Sequence, residues 1–574
     1  MRYNYDFLYQ KYTKNLWEKI GVKRRSGVMC PLFSIYSKES IGIGEFADLL
    51  PVIDWLKETG HSILQLLPLN EAGYGNSPYS AFSSFAMDPV YLRLSEIDDD
   101  SSLRAKYPIG SNSSHVNYEV RADKLELLKE FFKNADLNDP QYLQFKQENN
   151  YWLTDYSTYK LNKETKVNPL ASAELMNPNF YEWIQFHAFT QMSQVSRYAR
   201  ECEIKIMGDI PFLVSADSAD VLGQYQEVFN FDKVAGCPPD AYNARGQKWG
   251  MPTYNWQKLR ETNYQYFKDK LCYAANFFDM YRIDHVAGIF RLWSIDANAC
   301  SDDGGLYGNF DPLDEKDWQE NGGNILKAMI DVTEMMPCAE DLGVVPDQCR
   351  VTLKKLGVMG LDVTRWLKDR TEEPRRFIRP EHFRKTACAI SSGHDMSNTL
   401  AMWLYEINTT DEWCFKKNCH DKGLDFEQVG PKLFDLENSK FGRLRWKEDV
   451  KSEDILLWNL GLPKREAWEF LDAFYETHDE ERLLFRDIKK NNREIIYDLL
   501  EYTSEAASIF CLNSILDLML LEKDVVDIWG FRVNFPGSVG EHNWSIRMPY
   551  KVEEFAGLKA NKRILHLNKN TDRA

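Results

Sequence analysis

Long apolar runs are missing from this 574-residue chain. No stretch approaches the roughly 18 apolar residues that read as a membrane-spanning helix, and the opening Met1-Arg2-Tyr3-Asn4-Tyr5-Asp6 has no apolar signal core. No membrane partner is expected, and the cytoplasm is the expected location. Ordered cysteine pairs are missing too. The 11 Cys are odd in number and scattered through apolar contexts such as Cys338 and Cys388, and only Cys414 and Cys419 lie close together. That pattern excludes a small disulfide framework and a zinc cluster, and it fits a reducing compartment. No helical pattern carries two His at ligand spacing, so no metal is expected. Gly42-Ile43-Gly44 is followed by no third glycine and no Gly-Lys-Ser/Thr, so no nucleotide cofactor is expected either. Positive charge is in deficit: 70 Lys and Arg face 87 Asp and Glu, a net charge of −17. Such a field repels phosphates, which excludes nucleic acid and points to a neutral partner.

Linkers are absent as well. No Gly/Ser tract, low-complexity segment or short repeat divides the chain, so residues 1–574 are expected to form one catalytic domain. Two stretches depart from the prevailing pattern. Residues from about 95 to 185 are polar and helical, with Asp98-Asp99-Asp100-Ser101-Ser102, and read as an insertion after the second strand. Residues from about 400 to 500 are helix-rich and charged. Elsewhere helix and strand alternate. Phe46, Leu49, Leu50, Ile53, Trp55 and Leu56 form an amphipathic stripe, followed by the strand pattern Ile63-Leu64-Gln65-Leu66-Leu67. Glu203 to Ile210 reads as another strand.

Aromatics are plentiful at 13%, including 16 Trp and 29 Tyr. Flat rings with polar edges suit the faces and hydroxyl rims of sugars, and they also fill ordinary cores. More telling are three short apolar runs that end in acids: Met280 to Asp284 and His285, Met336 to Glu340 and Asp341, and Cys388 to His394 and Asp395. Barrel enzymes place chemistry at the C-terminal ends of such strands. Three acids at one rim suit glycosyl transfer, which needs a nucleophile, a proton donor and charge stabilisation around one sugar carbon.

Each acid alone also fits a helix cap or a surface loop. Their neighbours sharpen the reading. Arg282 lies two residues before Asp284, so on a strand both face the same side and the cation keeps the carboxylate ionised. Glu340 follows apolar residues that would raise its pKa, as a proton donor requires. Asp341 falls on the opposite face and reads as structural. His285 and His394 can hydrogen-bond sugar hydroxyls, or serve only structure. Asp217 and Asp220 read equally as helix caps. From Gly236 to Trp256 the chain reads as a long irregular loop with several large aromatics, a lid over a sugar face.

These segments together resemble the 4-α-glucanotransferases (amylomaltases or disproportionating enzymes) of glycoside hydrolase family 77. The resemblance rests on Gly27-Val28, Gly73 to Tyr79, Phe82 to Phe85, Gly208 to Pro211, Ala216 to Val221, and the Pro238-Pro239-Asp240 to Trp256 stretch. It continues through Arg282 to His285, Ala339 to Gly343, His394-Asp395, Asn534 to Gly537 and Asn543-Trp544. It implies an α/β fold, a (β/α)8 TIM barrel with helical insertions and no C-terminal β-sandwich. It implies Asp284 as nucleophile, Glu340 as general acid/base and Asp395 as the stabilising third carboxylate. Arg282, His285 and His394 would surround the bound glucose, with Tyr79, Asp217, Trp256 and Asn534 lining the groove. The implied partners are maltooligosaccharides or glycogen- and starch-like glucans, handled without cofactor by retaining double displacement. An α-amylase-like hydrolase would use the same three acids. Val286-Ala287, Met251 and Met396 stand where many members of the family carry other residues.

Overall fold

The computed structural model describes all residues except 1–2, 74, 108–113, 168–176, 240–244, 370, 372–374 and 479–490. Eight parallel strands form its centre: β1 (Arg25–Met29), β2 (Ile63–Gln65), β3 (Lys205–Ile210), β4 (Met280–Ile283), β5 (Met336–Ala339), β6 (Gly360–Val363), β7 (Ala387–Ile390) and β8 (Phe510–Ser514). Hydrogen bonding runs β6-β7-β8-β1-β2-β3-β4-β5. The ring closes where Cys338 of β5 bridges Met359 just before β6, with the Ala339 N–H donating to the Met359 carbonyl at 2.7 Å. This is the expected α/β barrel. Its strands are short and almost wholly buried because helices cover the outside, so they lack the apolar–polar alternation of a half-exposed sheet.

Three of the strands carry no plain apolar signature. β1 opens with Arg25, whose guanidinium donates to the Ile20 carbonyl at 2.6 Å, and it contains Gly27. A Cβ at Gly27 would lie 2.3 Å from a methyl of Leu512 and 2.6 Å from the Ile63 carbonyl oxygen, so glycine is required for β1 to fit between β8 and β2. β6 hides Asp362 within the strand, neutralised by Arg384 at 2.7 Å. β8 ends in Asn513-Ser514, and Ser514 caps the helix Ile515–Leu520.

Between β2 and β3 lie the helices Val120–Phe132, Pro140–Val167 and Pro178–Glu201, the last two packed on each other. The stretch read as a loop from Gly236 to Trp256 is instead largely strand. Phe229–Cys237 and Gln247–Tyr254 pair antiparallel, and Leu292–Asp296 and Gly308–Asp311 extend them to a four-stranded sheet. Pro252 masked this strand in the sequence. It sits opposite Val234 between two register shifts, where an irregular ladder tolerates a residue without N–H. Residues 240–244 of that stretch lie outside the described residues.

The region beyond residue 400 is not helical throughout. Thr409–Asp411, Phe434–Lys440 and Arg443–Trp446 form a three-stranded antiparallel sheet. With the surrounding helices it encloses its own core of Phe415, Phe434, Trp446, Phe470 and Phe474. Past Ser514 the chain forms the helices Ile515–Leu520 and Asn561–Asn570. Arg573 then inserts beneath the barrel, 1% exposed, donating to the carbonyls of Arg25, Ser504, Ala506, Ser508 and Ile509. All 11 cysteines are free, and among the described residues no helix is long and apolar enough to cross a membrane.

Candidate active site

The acids gather at the C-terminal rim of the barrel because their strands end together. β3 and β4 pair with Asp209 opposite Arg282 and Ile210 opposite Ile283, and β4 and β5 pair with Ile283 opposite Ala339. Asp284 and Glu340 are therefore the first residues beyond neighbouring strands. Arg282, 6% exposed, is the hub. One of its nitrogens donates to both Asp209 oxygens and to Asp284, each at 2.9 Å, and the other lies 3.7 Å from Glu340. Two carboxylates thus share one guanidinium while a third, Asp209, neutralises it from below. Asp209 also accepts from the Tyr79 hydroxyl at 2.8 Å. Burial pushes the Asp209 carboxyl above its ordinary range, against the pull of Arg282.

Glu340 is oriented by backbone. It accepts from the His285 N–H at 2.8 Å and the Leu342 N–H at 3.1 Å. His285 makes its contact from a left-handed conformation, φ 45°, uncommon for a side-chain-bearing residue and here used to aim its N–H at the acid. Burial raises the Glu340 pKa from 4.5 to about 8, with Arg282 opposing and Asp284 assisting. A carboxyl of this kind is protonated at neutral pH and can deliver a proton. Burial lowers the His285 pKa, so its ring is neutral. The Trp249 ring meets it edge-on, with centroids 5.2 Å apart.

Asp395 arrives differently. It lies five residues beyond β7 rather than at the strand tip, in a loop held by the buried Asp517 carboxylate, which accepts from the Ser391 and Ser392 hydroxyls and from the N–H and hydroxyl of Thr399. Its own carboxylate meets His394 Nε2 at 3.2 Å and accepts from the Asn534 amide at 2.7 Å. Burial alone would raise its pKa; His394 and Asn534 outweigh that and hold it below the usual carboxylate range. His394 is correspondingly raised, Asp395 overcoming the opposing effect of burial. The His394 ring stacks on Tyr79 at 5.1 Å, and Trp544 packs against both.

Arg282, Asp284, His285, Glu340, His394, Asp395, Tyr79 and Asn534 therefore share one site. Two other expected residues do not join them by direct contact. Asp217 pairs with Lys163 at 2.7 Å and accepts from the Tyr159 hydroxyl at 3.0 Å, both on the helix Pro140–Val167. Trp256, expected along the groove, is buried at 6% at the start of its helix with its ring against Tyr254. Trp249, seven residues earlier, stands beside the site instead, on a strand that the loop reading concealed. Asp209 and Trp544 were not among the expected site residues, although both fall in segments that carry the family resemblance; Asp209 lies within β3, opposite Arg282. Asp341 faces away, 5% exposed and bound by Arg384 at 2.5 Å. Among the described residues, no group of three or more His, Cys, Asp or Glu could hold a metal ion.

Residues 30–552 match the family described as 4-alpha-glucanotransferase, glycoside hydrolase family 77. The chain belongs to that family. A 4-alpha-glucanotransferase of Chlamydia caviae is 32% identical over 94% of both chains. A rice 4-alpha-glucanotransferase is 33% identical over 50% of this chain and 34% of its own length. Among solved structures, amylomaltase from Corynebacterium glutamicum aligns with a TM-score of 0.74 at 20% identity, covering 98% of this chain and 76% of that one. Amylomaltase from Streptococcus agalactiae in complex with acarbose gives 0.68 at 22% identity, covering 96% and 100%. At these identities the two structures speak to the family fold, which matches the barrel described above.

Proposed function

We propose that this member of the family is a 4-α-glucanotransferase that moves α-1,4-linked glucosyl or maltosyl units between maltodextrins, or from them to a glycogen- or starch-like acceptor. The observation that carries the reading is the pair of carboxylates on Arg282, one of them, Glu340, raised to about 8 by burial. In this reading Glu340 protonates the departing glycosidic oxygen while Asp284 attacks the anomeric carbon. The covalent glucosyl-enzyme is then opened by an acceptor 4-hydroxyl that Glu340 deprotonates. Arg282 holds Asp284 in place through its 2.9 Å contact, and Asp209 keeps Arg282 from being an uncompensated buried charge. Asp395, His394 and Asn534 hold sugar hydroxyls near the developing positive charge, and Tyr79 closes the pocket beside them. Transfer prevails over hydrolysis when water is excluded until the acceptor arrives, a task suited to Trp249 and the sheet that carries it.

The proposal also takes the chain as one catalytic barrel with insertions and keeps the cytoplasmic location expected from its cysteines. Incubation with maltotriose tests it. Longer maltodextrins appearing at constant total reducing ends support transfer, whereas rising reducing ends would assign the chain to hydrolysis by the same acids.

A further inference from the structure

A ring at the tip of a hairpin in the region beyond residue 400 is placed at a conformational cost that its burial does not explain. The strands Phe434–Lys440 and Arg443–Trp446 are joined by Phe441 and Gly442, both left-handed, with φ 57° and 73°. Two-residue turns of this kind favour Asn or Gly at the first position, and a bulky aromatic there is strained. Strained residues persist where surroundings or function hold them. Phe441 remains 49% exposed, so the strain does not serve to bury it.

The ring lies flat on Trp529, centroids 4.6 Å apart and planes within 6°, with Tyr405 edge-on to both. The Trp529 ring in turn carries the Arg532 guanidinium at 5.4 Å, and that guanidinium also stacks on Phe535 at 4.4 Å. Arg532 donates to the Asn534 carbonyl at 2.8 Å and reaches the Asp395 carbonyl at 3.4 Å. A row of flat groups thus runs from the hairpin tip to the pair that ends the reaction centre.

We propose that Phe441 and Trp529 form an additional subsite for an α-1,4-glucan chain, continuous with the Asp395 side of the site and engaged only by chains long enough to reach it. The inference rests on the glucan reading of the three acids. The chemistry is the stacking of a sugar's C–H face on an exposed ring, with the chain's hydroxyls left to water. Continuity with Asn534 and Asp395 selects a glucan already held by the acids over an unrelated apolar partner.

Steady-state transfer with maltotriose and with maltoheptaose, compared in wild type and Phe441→Ala, tests the subsite. Retardation in native gels containing glycogen gives a readout independent of turnover. The expected result is a KM for maltoheptaose raised roughly 3- to 10-fold, the scale of one stacking contact, with maltotriose kinetics unchanged. Phe441→Trp restores the wild-type value. Trp458→Ala, removing a ring 86% exposed on the helix Glu453–Leu460, leaves both donors unchanged. Equal effects on both donors, or a lowered unfolding midpoint with no change in KM, would overturn the proposal and leave Phe441 as an anchor for the hairpin. A wild type that transfers nothing yet is retarded by glycogen in a Phe441-dependent way would reject the transferase reading and retain the subsite.

Discussion

Replacing Glu340 with Gln should shift relative stability toward the variant as pH rises from about 4.5 to about 8, after which the difference stays level. The ionised carboxylate is disfavoured in the fold because burial strips its water, and the pKa rises from 4.5 to about 8. An acid with a raised folded pKa binds its proton more tightly in the fold than in the unfolded chain. Its favourable contribution is fully present below pH 4.5 and is lost as pH rises through about 8. At about 1.4 kcal/mol per pKa unit, such a rise sets a ceiling of roughly 5 kcal/mol. The side chain is 14% exposed and Arg282 lies 3.7 Å away, so we expect about 2–4 kcal/mol. Glutamine keeps the shape and never ionises. Its amide also presents a donor toward a backbone N–H that the carboxylate accepted, a penalty of about 1–3 kcal/mol that does not vary with pH. The decisive quantity is therefore the slope of the stability difference and not its offset. Urea unfolding of both proteins from about pH 4.5 to about pH 9.5 measures it, with the Glu340→Gln variant gaining on wild type between about pH 4.5 and about pH 8 and the difference level above that. A difference flat in pH, or one moving in favour of wild type as pH rises, would refute a buried, proton-retaining Glu340. The same raised pKa predicts wild-type transfer falling on the alkaline side of about pH 8, as the acid needed for the first step is lost.

Asp284→Ala should abolish transfer while leaving far-UV circular dichroism unchanged, and activity within roughly tenfold of wild type would reject it as nucleophile. Trp249→Ala should raise the ratio of hydrolysis to transfer on maltotriose, read as new reducing ends per transfer event; an unchanged ratio would remove Trp249 from water exclusion. Asp341→Ala should cost about 1–3 kcal/mol in urea unfolding, since the Leu361 N–H loses its acceptor and the half-exposed Arg384 rehydrates. Because Asp341 faces away from the site, the alkaline limb of activity should stay near pH 8 in that variant, and a displaced limb would place it in the catalytic centre.

Strand geometry made the central acids legible before any coordinates. Arg282 and Asp284 share a face because they are two residues apart, and Glu340 and Asp341 divide between faces because they are adjacent. What alternation cannot supply is the partner across a sheet. Asp209 joins the centre through its register opposite Arg282, a pairing between residues 73 apart. Asp395 follows from no strand rule, since its loop is held by Asp517, which lies on the helix after β8. Trp249 fell within the stretch read as a lid, but its strand was not legible because glycine and proline around it suggested a loop, whereas two register shifts let those residues sit within a ladder. β1, β6 and β8 were hidden by the charged or polar residues they carry, among them Arg25, which donates to the Ile20 carbonyl, and Asp362, which pairs with Arg384.

Arg573 has a kinetic corollary. Its guanidinium bonds the carbonyl of Arg25, 548 residues earlier, and β1 itself must meet β8 before the ring is complete. Contacts this distant in sequence close slowly, because the entropy of the intervening chain must be given up before they return any stabilisation. Until then the edges of β1 and β8 are open strands, the surfaces through which partly folded chains pair with one another. Aggregation during refolding should thus concentrate in the interval before the floor of the barrel is sealed.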